Sequence, residues 1–171
     1  GLATGLLHRR LGDDSKPLLD RIDLESERLN SMIGQLLTLA RLDAAPVPET
    51  SVPVDLKELL ESIVADAEFE AAVRSCHIRL VAPVNCHLAG SREQLRSALE
   101  NVIRNAIRYT ADATTVIVEL QCTSSAVSIT VTDAGPGVPE QDLPHIFEPF
   151  YRVAEARDRA SGGTGLGLAI T

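Results

Sequence analysis

The sequence predicts an α+β fold, a two-layer α/β sandwich preceded by a helical hairpin, on three observations. From Ser91 to Thr110 apolar residues recur at three- and four-residue steps. From Thr115 to Cys122 and from Ala126 to Asp133 apolar and polar residues alternate. From Ser15 to Asp43 there is a long leucine-rich seam. A helix with one apolar stripe and strands with one apolar face must cover each other, and a helix layer on a sheet does this. At 171 residues with 44% hydrophobic side chains, the chain can bury a core. Its net charge of −8 and 3% aromatic content speak against a nucleic-acid binder, which needs clustered cations or stacking platforms. No apolar run approaches the roughly 20 residues that span a bilayer. Cys76, Cys86 and Cys122 are odd in number and lack metal-ligand spacing, so they are expected as buried thiols in a reducing compartment, with no disulfide framework and no structural metal.

In chain order, Leu2, Leu6 and Leu7 are expected to end a first helix, closed by Gly12, Asp13 and Asp14. Asp14 or Ser15 then caps a second helix running to Asp43. Leu19, Ile22, Leu29, Ile33, Leu36 and Ala40 trace its seam, with Glu25, Glu27, Arg28 and Gln35 mostly outside. Such a stripe finds no cover within the chain. Residues 1–43 therefore read as a hairpin that pairs with a second copy into a dimeric four-helix bundle. Residues 44–53, with three prolines, read as a linker ahead of a domain over residues 54–171. Asp55 caps a helix reaching Val73 through Leu56, Leu59, Leu60, Ile63 and Ala67. Residues 78–82 form a short strand and residues 83–90 a strand or loop. The central helix follows, with Leu95, Ala98, Leu99, Val102, Ile103 and Ala106 on the sheet side. The two alternating stretches make a hairpin about residues 123–125.

The polar side of the central helix sets Asn101, Asn105 and Arg108 in line, with Tyr109 beside them. An amide oxygen is a hard neutral donor suited to Mg2+, which binds largely through phosphates, and Arg108 can meet those phosphates. A solvated helix face accounts for the same residues. Next comes Asp133-Ala134-Gly135-Pro136-Gly137. A carboxylate at a strand end can accept from an exocyclic amine such as that of adenine, and glycines let the backbone approach a flat ligand. An ordinary turn has the same composition. Residues 138–161 are too long for a plain connection and read as a mobile cover, anchored by the aromatic patch at residues 146–151, from which Arg152, Arg157 or Arg159 could reach phosphate. Residues 162–170 bring glycines into an apolar helix, where amides free of side chains, capped by Thr164, form an anion site. Other glycine-rich motifs do not fit. No Lys-Ser or Lys-Thr follows as in a P-loop, and the spacing Gly163, Gly165, Leu168 breaks the dinucleotide fingerprint.

Residues 101–106, 133–137, 147–151 and 163–167 resemble, in order, the N, G1, F and G2 boxes of sensor histidine kinases. One box is a weak signal, but four in series are specific. The resemblance runs from about Val52 to the end, and the helix of residues 15–43 is similar to the second helix of the dimerisation and phosphotransfer hairpin. Residues 151–162 further resemble the bacterial envelope-stress sensor kinases. The resemblance implies a histidine kinase/gyrase-type ATPase fold with ATP and Mg2+ as cofactors. Asn105 would hold the metal, Asn101 would support the phosphate side, Arg108 would contact phosphates and Tyr109 would border the nucleotide. Asp133 would read the adenine amine, Gly135 and Gly137 would shape the pocket, and Gly163, Thr164, Gly165, Leu166 and Gly167 would cover the triphosphate.

The implied activity is that of an ATP-dependent protein histidine kinase in a two-component system. The γ-phosphoryl passes to a histidine and then to an aspartate in the receiver domain of a response regulator. The implied protein is a homodimer anchored in the bacterial membrane outside this stretch, with this region on the cytoplasmic side. No catalytic residue is expected within the chain. The acceptor of such kinases is a His followed by Glu or Asp and then Pro, whereas His8 precedes Arg9 and Arg10, and His77, His87 and His145 lie in the other domain. The acceptor is expected just upstream of Gly1, and the rest of the final helix and closing strands beyond Ile170. Two alternatives compete. ATPases of the gyrase, mismatch-repair and chaperone type use a Glu to activate water where this chain has Asn101, with Glu100 beside it. A non-catalytic nucleotide-binding dimeric scaffold is the other.

Overall fold

The computed structural model describes residues 16–44, 52–153 and 164–171. The expected first helix, the Asp14 or Ser15 cap, Gly163, Arg157 and Arg159 lie outside the described residues. The elements are α1 (Lys16–Ala44), β1 (Val52–Asp55), α2 (Leu56–Val73), β2 (His77–Val81), β3 (His87–Gly90), α3 (Arg92–Tyr109), β4 (Thr115–Cys122) and β5 (Val127–Thr132). Two 3-10 turns follow at Leu143–His145 and Leu168–Ile170.

Helices α2 and α3 pack against each other and onto the sheet β2-β4-β5, forming the two layers. The core lies between the layers. Leu56, Leu59, Leu60 and Ile63 of α2, Ile103 and Ile107 of α3, and the alternate residues Val116, Val118 and Leu120 of β4 are all buried there. Local chemistry explains the boundaries. The Asp55 carboxylate accepts from the Lys57 and Glu58 N–H groups, and the Ser91 hydroxyl accepts from the Gln94 N–H, so each helix starts where orphan donors find an oxygen. In the hairpin turn, the Thr123 hydroxyl accepts from the Ala126 N–H at 3.0 Å.

Some expectations are corrected. Val52 and Pro53 are not linker, because they belong to β1, which pairs antiparallel with β3 in a separate two-stranded sheet. A proline is tolerable there because a strand of such a sheet has a free edge. The main sheet is mixed, with β5 antiparallel to β4 across the expected hairpin. β2 and β4 run parallel, since β3 and α3 supply the crossover between them. Cys86 and Cys122 are not scattered thiols but lie side by side, with Cα atoms 6.2 Å apart, a separation that a disulfide can span. They are separated by 36 residues and meet because α3 carries the chain to the far end of the sheet and β4, parallel to β2, brings it back. Cys76 remains a buried thiol, and burial pushes its pKa up, so it stays protonated. The glycine-rich segment leads, within the described residues, into a 3-10 turn at Leu168–Ile170.

On α1 the seam is mostly open to solvent. Leu19 is buried, but Ile22, Leu29 and Ile33 are each more than half exposed, and Leu36 is 40% exposed. Gln35, expected outside, is half-buried because its side-chain oxygen accepts the Thr164 hydroxyl at 2.7 Å.

Candidate nucleotide site

The amphipathic register of α3 buries Ile103, Ala106 and Ile107, which forces Asn101, Asn105, Arg108 and Tyr109 to the rim of the core. Among the described residues neither Asn101 nor Asn105 has a side-chain hydrogen bond to protein, although both are half-buried. Half-buried amides without a protein partner are groups that a ligand or solvent must satisfy. The C-terminal end of α3 is held from outside, where Arg74 donates to the Arg108 carbonyl at 2.8 Å. The Arg108 guanidinium has no ion pair among the described residues.

At the end of β5 the Asp133 Oδ1 accepts the Gly135 N–H at 2.7 Å, which fixes the carboxylate and leaves Oδ2 for another donor. Gly135 lies so close to the end of α3 that a Cβ there would sit 2.7 Å from the Tyr109 carbonyl oxygen. Gly137 adopts φ +74°, a conformation that favours glycine. Thr110, which sequence reasoning passed over, joins these two pieces. Only 5% exposed, its hydroxyl accepts the Ala134 N–H at 3.1 Å and bonds the Thr114 hydroxyl at 2.8 Å. Its only signal in the sequence was a hydroxyl at a helix end, which many helix stops share. Replacing it with the near-isosteric Val is expected to cost about 1 kcal/mol in chemical denaturation and to weaken ligand binding at the turn.

The loop after Gly137 is tied down by hydrogen bonds, one of them from the aromatic Tyr151, and not by burial of its phenylalanines. Phe147 and Phe150 are each 59% exposed, which corrects the expected aromatic anchor. Instead the Tyr151 hydroxyl bonds Asp142, the His145 Nδ1 lies 2.7 Å from Glu148, and the Phe150 N–H donates to the Gly165 carbonyl at 2.9 Å. Gly165 is at φ +74°, and a Cβ there would lie 2.8 Å from the Phe150 carbonyl carbon, so only glycine fits this crossing. The Thr164 hydroxyl accepts the Leu166 N–H at 3.2 Å.

These pieces enclose one cavity of about 370 Å3. Of the sequence-predicted residues, Asn101, Asn105, Arg108, Tyr109, Asp133, Gly137, Thr164, Gly165 and Gly167 line it. Gly135 does not line it and supports the turn from beneath, while Leu166 is fully buried, away from the cavity wall. Gln35, Arg104 and Arg152 join the lining. Three arginines against one carboxylate, Asp133, make this cavity a basic island in an acidic chain. Glu100 is absent from the lining, because its carboxylate turns to Arg96 at 2.8 Å. No group of three His, Cys, Asp or Glu able to hold a metal ion occurs among the described residues, so any metal here would rest on neutral oxygens and on the ligand.

Residues 90–171 match the family described as histidine kinase-, DNA gyrase B- and HSP90-like ATPases. The chain is 43% identical, over 99% of its length, to the sensor histidine kinase CpxA of Escherichia coli. The chain belongs to the sensor histidine kinase family. It is also 38% identical, over 89% of its length, to the phosphate regulon sensor protein PhoR of Pseudomonas aeruginosa. The chain spans about a third of these relatives, 36% of CpxA and 34% of PhoR. Its fold superposes on full-length ShkA, solved in complex with AMPPNP, with a TM-score of 0.76 and 27% identity over 94% of this chain and 33% of that one. The cavity thus lies in an ATP-binding domain of histidine kinase type, and the α+β sandwich is the fold of that domain. Among the described residues no helix is long and apolar enough to cross a membrane.

Proposed function

We propose that the cavity binds ATP with Mg2+, and that residues 54–171 act as the ATP-binding and catalytic domain of a two-component sensor kinase. The observation that carries this reading is the convergence of Asn105, Asp133 and the Thr164 turn, distant in the chain, on one cavity. The Asp133 Oδ2 accepts the adenine amine, and the Tyr109 ring borders the base. Arg108 and the backbone about Gly165 and Gly167 take the phosphates. The unpartnered amides fit a hard cation, with Asn105 as its protein ligand and Asn101 on the phosphate side. Held there, Mg2+ would supply neutralisation of phosphate charge. Phosphoryl transfer needs positioning and charge compensation more than covalent help, and this set of residues offers both.

The γ-phosphoryl would pass to a histidine on the dimerisation hairpin and then to a response-regulator receiver aspartate. The exposed stripe Ile22, Leu29, Ile33 and Leu36 of α1 supports a homodimer through residues 1–43. The whole protein would be membrane-anchored outside this stretch, with this domain on the cytoplasmic side. Transfer is favoured over gyrase-type hydrolysis because Glu100, engaged with Arg96, puts no carboxylate into the cavity from α3. A thermal-shift series tests the reading. ATP with Mg2+ at 100 times its Kd should stabilise the protein by about 2.7 kcal/mol. Absence of a shift would favour a non-catalytic scaffold whose nucleotide pocket is degenerate, and phosphate release without a phosphoprotein would favour hydrolysis.

A further inference from the structure

Arg104 lines the cavity, yet no role in the nucleotide site falls to it from the four sequence boxes. It stands on α3 three residues after Asn101 and four before Arg108, so helical geometry gives it the same side as both. Among the described residues its guanidinium meets one partner, Glu70 of α2, through a contact of 3.7 Å with both side chains well exposed, 60% and 42%. A pair this long and this wet holds the side chain weakly. Phosphate oxygens, which accept two parallel bonds from a guanidinium, are the stronger partner.

The direction of the cavity says which phosphate that would be. The Asp133 turn packs on Tyr109 and Thr110 at the C-terminal end of α3, while Gly167 abuts Asn101 about two turns earlier. A nucleotide with its base at Asp133 therefore runs its tail back along α3 toward Asn101. Arg108 comes first on that path and Arg104 later, nearer the tail's far end. We propose that Arg104 is a second phosphate-binding cation, held on Glu70 in this structure and exchanging that partner for the terminal phosphate of a nucleoside triphosphate. It thereby distinguishes triphosphate from diphosphate. This assignment rests on the nucleotide-site reading above and adds to it a residue that selects for tail length.

Calorimetric titration of the whole protein with AMPPNP and with ADP, each with Mg2+, tests it. Arg104→Gln should weaken AMPPNP roughly tenfold, as expected for one lost charge-assisted contact, and leave ADP within about twofold. Arg104→Lys should fall between, keeping the charge but losing the two-pronged geometry. Glu70→Gln should tighten AMPPNP a few fold by releasing Arg104, without changing ADP. Equal losses for both nucleotides in Arg104→Gln, or no loss, would overturn the assignment while leaving the nucleotide site intact. A wild-type protein that binds neither nucleotide would overturn the site reading and Arg104 with it.

Discussion

Asn105→Asp is expected to abolish Mg2+-dependent ATP binding, with a loss of at least ~100-fold read by calorimetric titration. The substitution changes almost no volume but adds a full negative charge to a half-buried position in the cavity wall. Two like charges about 4 Å apart at a partly buried site repel by roughly 4 kcal/mol, and each 1.4 kcal/mol is a factor of ten in affinity. The Asn105 side chain makes no hydrogen bond to protein among the described residues, so the fold should keep its stability within about 1 kcal/mol. Loss of binding without loss of stability separates a ligand-facing amide from a structural one. Unchanged ATP affinity would remove Asn105 from the site.

The second large effect is expected from Gly135→Val. A Cβ at this position would lie 2.7 Å from both the Tyr109 carbonyl oxygen and the Asp133 Oδ1. Tyr109 is the last residue of α3, so the obstacle is backbone and cannot rotate away. The turn must lift off the helix. This breaks the Asp133–Gly135 hydrogen bond and weakens the contact of the Ala134 N–H with Thr110. A destabilisation of about 1–3 kcal/mol in chemical denaturation is expected from the overpacking, with ATP affinity falling at least ~10-fold as the Asp133 carboxylate loses its aim. Gly137→Ala makes a useful contrast. Nothing lies within 4 Å of a Cβ there, so its cost is limited to the φ of +74°. If Gly135→Val were as well tolerated as that, the close approach to α3 would not be what the turn requires.

The elements of the fold were legible where the signal is local. Ser91 and Asp55 announce helix starts through side chains that cap neighbouring N–H groups, and residues 115–122 show their strand by alternation alone. Strand β1 was not legible, because Val52 and Pro53 read as the end of a linker and Asp55 as a helix cap. Only pairing with β3, more than 30 residues on, makes them a strand. The parallel β2–β4 pair and the meeting of Cys86 with Cys122 escaped for the same reason, since neither depends on anything near it in the chain. The aromatic patch misled in a different way. Hydrophobicity suggests burial, but Phe147 and Phe150 stay exposed because hydrogen bonds, not apolar contacts, tie that loop.

The candidate site divides along the same line. Residue type and spacing nominated Asn101, Asn105, Arg108, Asp133 and the glycine-rich turn, because an amide row, a strand-end carboxylate and side-chain-free backbone are chemically distinctive over a few residues. The companions Gln35, Thr110 and Arg104 carry no such mark. Gln35 reaches Thr164 across 129 positions, Thr110 reaches Ala134 across 24, and Arg104 reaches Glu70 on a different helix. Side-chain chemistry and helical or strand periodicity are properties of neighbours in the chain, so the amino-acid order alone suffices for them. Which neighbours in space a polar group has is settled when the core of α2, α3 and β4 closes, and only that closure sets one wall of the cavity against the other.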